Sequence, residues 1–70
     1  MNTNAIVDLK THLESTIIVS TFGRYQKGKW VGIDLDANII ILIPSSAPEC
    51  RLYIDIEHIS SIKTNVKEDG

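Results

Sequence analysis

The stretch from Gly28 to Leu42, GKWVGIDLDANIIIL, constrains the fold of this chain more than any other part of it. Gly28 lies six residues before Asp34, Gly32 two before it and Asn38 four after it, all within two alternating apolar runs. A glycine inside a strand marks a bend or a close backbone approach. Asp and Asn side chains bond nearby backbone groups in turns. The pattern therefore predicts two sharply curved strands, about 28–35 and 38–43, joined by a turn built on Asp34 and Asn38. Val31, Ile33 and Leu35 are expected on one face of the first. The second, Ile39–Ile43, is apolar on both faces and stops at Pro44, which predicts a fully covered strand.

The flanking segments extend this pattern. Thr16–Phe22 is rich in β-branched residues and ends at Gly23, a turn signal, so a strand is expected over about 15–22. Cys50, Leu52, Ile54 and Ile56 alternate with polar partners over 50–56, and a last short strand follows at about 59–64. Ahead of the strands, Ile6, Leu9 and Leu13 recur at helical spacing, predicting a helix over about 4–13 capped by Thr3 or Asn4. Asp8 is expected in its early turns. Lys10 and His12 fall late, where positive charge suits the helix dipole. The polar tail 65–70 is expected to fray.

The chain is thus expected to be a single, mainly β domain: a short N-terminal helix followed by a five-stranded, strongly bent, partly open small barrel. Seventy residues bury only about 60% of the unfolded surface, and a core that small supplies about 3–5 kcal/mol without further support. One cysteine makes no internal disulfide, and Cys50 with two scattered histidines makes no zinc site. Association with further copies is the most available source of stability. A partly open barrel leaves edge strands. Ile59 and Ile62, expected on opposite faces of the last strand, also ask for cover. Head-to-tail edge pairing closes into a ring where the rotation allows.

With those residues in view, the chain resembles the Sm/LSm family, which includes the Hfq-type RNA chaperones. Gly28, Gly32, Asp34 and Asn38 match the first Sm motif at its spacings, and 50–62 occupies the place of the second, with Ile54, Ile59 and Ile62 at its apolar positions. The resemblance implies an Sm-like (SH3-like) barrel in a homo-oligomeric ring of about five to seven copies, joined through the fourth and fifth strands. Leu52, Ile54, Ile56, Ile59 and Ile62 are the interface residues that follow from it. It also implies single-stranded RNA, often uridine-rich, held by Asn38 and braced by Asp34. Asp36 occupies the stacking position, and Asp55 and Ile56 replace the Arg-Gly pair of the second motif, so the uridine pocket is degenerate. His58 is a candidate neighbour of it.

Other residues carry plainer expectations beside the functional ones. Arg24, Lys27 and Lys29 form a basic cluster that reads as a solvated surface or a contact for RNA from one ring face. The net charge of −2 and pI near 5.5 count against strong non-specific nucleic-acid binding. Asp34 and Asn38 also read as turn caps. Trp30 and Tyr25 are candidate rings for stacking on a base, with packing against the barrel or at an interface the plainer reading of Trp30, and Cys50 reads as a small buried apolar residue. No Ser/Cys–His–acid set, phosphate-cradling loop or metal-ligand cluster is recognisable, so neither enzyme, cofactor, metal site nor small-molecule substrate is expected. Without a signal peptide or membrane span, a cytoplasmic setting is expected. Two functions remain: an Sm-like ring that binds RNA or scaffolds a ribonucleoprotein, and an Sm-fold assembly module without nucleotide recognition.

Overall fold

The computed structural model describes residues 1–67, and the expected fraying of the last three residues lies outside them. The chain is mainly β. Helix α1 (Thr3–Asp8) runs into a 3-10 turn (Lys10–His12), followed by β1 (Thr16–Thr21), β2 (Arg24–Asp34), β3 (Ile39–Pro44) and β4 (Leu52–Asp55). A second 3-10 turn (Ile56–His58) leads into β5 (Ile59–Lys63). All pairings are antiparallel, in the order β4-β3-β2-β1-β5, and the sheet curls strongly into a half-barrel.

The N-terminal segment departs from a single helix over 4–13. Asn2, not Thr3 or Asn4, is the cap, its side chain accepting from the Asn4 N–H at 2.7 Å. Asp8 accordingly closes α1 instead of sitting in its early turns. The Leu9 N–H is shared between the carbonyls of Ala5 and Ile6, and the chain tightens there into the 3-10 turn. Ile6 is fully buried, with Leu9 and Leu13 packed against the core.

Thr21 pairs with Arg24, leaving Phe22 and Gly23 as a two-residue hairpin turn. Both have positive φ, 48° and 78°, the sense that matches the twist of adjoining strands. So short a turn leaves no slack, and β2 begins at Arg24, earlier than the expected 28. Gly28 and Trp30 are buried before a bulge at Val31, where the pairing passes from Trp30–Leu42 to Gly32–Ile41. The extra residue reverses which side chains face inward. Ile33 packs on the core, whereas Leu35, expected beside it, stands exposed beyond the end of the strand.

Gly28 is required by close approach. A Cβ there would meet the Ile43 carbonyl and come within 3.0 Å of Leu42 Cγ. In β3, Ile40, Leu42 and Pro44 are buried, but Ile39, Ile41 and Ile43 are only half-covered, so one face of this strand is less enclosed than expected.

A second bulge corrects the account of β5. Ser20 pairs with Ser61 but Thr21 with Ile59, so Ser60 is the extra residue. Its insertion lets Ile59 and Ile62 both reach the core instead of diverging to opposite faces. Ile56 and Ile59 are core residues, while Leu52, Ile54 and Ile62 are half-buried and pack against them. Cys50 is exposed, contrary to its expected burial. Its N–H bonds the Ala47 carbonyl, so the chain is still turning there and β4 begins only at Leu52.

Candidate functional site

The candidate residues fall into two places. The first is the turn between β2 and β3. Asp34 Oδ1 accepts from the Ala37 N–H at 3.1 Å, closing the turn from its entry. Asn38 leaves it with φ 59°, a left-handed conformation that Asn tolerates better than most residues. Its Oδ1 accepts from Thr3 Oγ at 2.8 Å, and its carbonyl accepts from the Ile56 N–H at 2.9 Å. Asp34 and Asn38 therefore bond turn, helix and second 3-10 turn together. Asp36 is exposed at the tip and offers a negative charge without a π-face.

The second place is the mouth of the half-barrel, where the β1–β2 hairpin faces β4 across a cavity of about 340 Å³. Val19, Gln26, Leu52 and Ile54 line its inner part. Phe22, Arg24, Tyr25, Tyr53, Asp55 and His58 also border it. The Phe22 and His58 rings lie 4.9 Å apart with their planes inclined at 51°. Asp55 Oδ1 accepts from the Glu57 N–H at 2.9 Å, capping the second 3-10 turn. His58 therefore belongs with Phe22 and Arg24 at the mouth, and Asp34, Asp36 and Asn38 do not border that cavity.

The basic cluster separates as well. Alternation along β2 puts Lys27 and Lys29 on one face and Arg24 on the face shared with Gln26, Gly28 and Trp30. Lys29 Nζ lies 3.4 Å from Glu14 Oε2, an exposed pair of small energetic value. Lys27 is half-buried, and Arg24 is exposed with no ion pair among the described residues. Trp30 is fully buried and donates its Nε1–H to the Gly32 carbonyl at 2.8 Å, spanning the bulge.

Sequence reasoning had not singled out Phe22 or Tyr53. The available signal for Phe22 was its place beside Gly23 in a turn, where an aromatic side chain has no core to enter. A second, more polar hollow of about 380 Å³ lies beside His12, Glu14 and Ser15. No group of three or more His, Cys, Asp or Glu side chains is placed to hold a metal among the described residues. No helix among them is long and apolar enough to cross a membrane. Compared with protein-family models, curated proteins and solved structures, the chain finds no match.

Proposed function

We propose that this chain is an Sm-like subunit that assembles head to tail with copies of itself and acts as a scaffold in the cytoplasm. One observation carries this reading: β4 and β5 end the curled sheet, each paired on one side only among the described residues. Unpaired edges invite strand addition. An edge of one kind meeting an edge of the other kind in the next copy generates a ring if the rotation closes. Of the resemblance-derived interface set, Leu52, Ile54 and Ile62 are half-buried and near enough to the edges to be covered by a neighbour. Ile56 and Ile59 would support the junction from inside the core.

Of the two roles for such a ring, assembly without uridine recognition is the better supported. The Asp34 and Asn38 side chains already carry bonds within the chain, and Asp36 presents an acid where a base would stack. Repeated around a ring, that acid repels a phosphate backbone.

Native mass spectrometry at micromolar concentration tests the scaffold. A single oligomer, with a copy number of about five to seven on the Sm resemblance, is expected. Only single chains would overturn the assembly.

A further inference from the structure

We propose that the tip of the β1–β2 hairpin docks end-on to an anionic lipid surface, with Phe22 and Tyr25 entering the interface and cations behind them at the headgroups. The proposal does not rest on assembly: β1 and β2 lie inside the sheet order, not at the edges where copies would meet.

The hairpin ends in an exposed spike. Phe22, Gly23, Arg24 and Tyr25 are four consecutive exposed residues. A Cβ added to Gly23 would meet no atom within 4 Å, so the tip stands in open space. Phe22 and Tyr25 are 78% and 76% exposed, although a small domain short of core material would gain by burying them. Phe22 also holds φ 48°, where Asn or Gly fits at less cost. Strain of this kind gathers at functional positions. Its ring lies 4.9 Å from that of His58, which steadies one flank of the tip.

Cations stand behind these rings on both faces of the hairpin. Arg24 follows the turn and lies on the face opposite Tyr25. Lys27 shares the Tyr25 face, two residues and about 7 Å further from the tip. Ile18 pairs with Lys27 on one side and with Lys63 on the other, so two ammonium groups occupy one cross-strand row. The row nearer the tip, Tyr25–Ser20–Ser61, holds no carboxylate. None of these three cations has an ion pair among the described residues. Asp55 borders the same hollow as Arg24, but its Oδ1 is committed to the Glu57 N–H.

This layering matches a bilayer interface, where aromatic rings sit at headgroup level and cationic side chains reach the phosphates on apolar stems. Alternation along β2 argues for the same occupant. A ligand lying against one face of the sheet would meet Arg24 or the Tyr25–Lys27 pair, but not both. An interface entered end-on surrounds the hairpin and meets all three. A peptide added as a strand needs an open edge, whereas β1 and β2 have partners on both sides. The net charge of −2 does not oppose the contact, because Asp34 and Asp36 lie at the other end of β2 and leave a basic end to face the anionic surface.

Co-sedimentation with vesicles tests this, using phosphatidylcholine alone and an equal mixture with phosphatidylglycerol at low and high salt. Binding is expected with the mixture alone and should weaken as salt rises. Phe22→Asn retains a residue suited to positive φ and is expected to weaken binding about tenfold. Arg24→Gln and Lys63→Gln should each weaken it about fivefold at low salt and less at high salt. Lipids brominated on the upper acyl chain should quench the new indole of Phe22→Trp, while the buried Trp30 of the wild type stays bright. Circular dichroism reports the folding of each variant, and native mass spectra report assembly separately. Absence of binding to the mixture at low salt, equal binding to neutral vesicles, or undiminished binding by folded Phe22→Asn would overturn the site. Capture on polyglutamate without binding to vesicles would assign the hairpin to an acidic protein and overturn it equally.

Discussion

Thr3 Oγ donates to Asn38 Oδ1 at 2.8 Å across 35 residues of sequence, joining the first turn of α1 to the turn between β2 and β3. The same Asn38 accepts from the Ile56 N–H through its carbonyl. One residue thus ties the helix, the central hairpin and the β4–β5 connection, and its side-chain oxygen is occupied in doing so. This makes a structural role sufficient to explain why Asn stands at this position.

Thr3→Val is therefore expected to lose about 0.5–1.5 kcal/mol of stability in urea unfolding, the usual worth of one such bond. Asn38→Ala should cost more, because it loses the acceptor and puts at φ 59° a residue that tolerates the left-handed region less well than Asn. Asn38→Gly, which loses the acceptor but relieves the backbone, should lie between wild type and Asn38→Ala. An Asn38→Ala variant as stable as Asn38→Gly would show that the left-handed conformation carries no cost here.

The two strand glycines are expected to differ. A Cβ at Gly28 meets the β3 backbone at the Ile43 carbonyl, which cannot swing aside, whereas one at Gly32 lies 3.3 Å from Ile41 Cδ1, the end of a side chain. Gly28→Ala should destabilise by about 1–3 kcal/mol through overpacking, and Gly32→Ala by under about 1 kcal/mol. Urea midpoints at constant m-value check the order; equal losses would remove close approach as the reason for Gly28.

Cys50 provides a direct check on where β4 begins. Exposed beyond the strand, its thiol should react with a chromogenic disulfide reagent in native buffer at nearly the rate seen in urea. Reaction only after unfolding would place Cys50 inside the sheet, as its alternation with Leu52 and Ile54 had suggested.

The glycines and turn residues of 28–42 made the β2–β3 hairpin legible, because close approach and a left-handed turn each demand particular residue types. Alternation located the other strands to within a few residues. Bulges were not legible: Val31 and Ser60 look like any other strand residues, yet each reverses which neighbours face inward. That is why Trp30 and Ile33 both face inward and why Ile59 and Ile62 share the core, whereas Leu35 is exposed because β2 ends before it. The cap was missed because Thr3 suits the role equally well in sequence but is bonded to Asn38. The mouth was missed for a broader reason. Phe22, Tyr53 and His58 lie far apart in the chain, and only the curl of the sheet brings them together.

Edge pairing can be tested by coupling two residues at opposite ends of the sheet. Tyr53 lies in the middle of β4 and Ser61 in the middle of β5, both exposed, on the two strands that end the sheet order. If β4 of one copy pairs with β5 of the next, charges introduced at these positions meet across the junction. Tyr53→Lys with Ser61→Lys places like charges there and should shift the oligomer toward single chains. Tyr53→Lys with Ser61→Glu should restore assembly at low salt, and about 1 M salt, with its Debye length of roughly 3 Å, should remove the difference between the two pairs. Native mass spectrometry reads the populations, and urea unfolding reads the folding of each variant. An identical oligomer distribution for the two pairs at low salt, with both folded, would show that these edges do not meet.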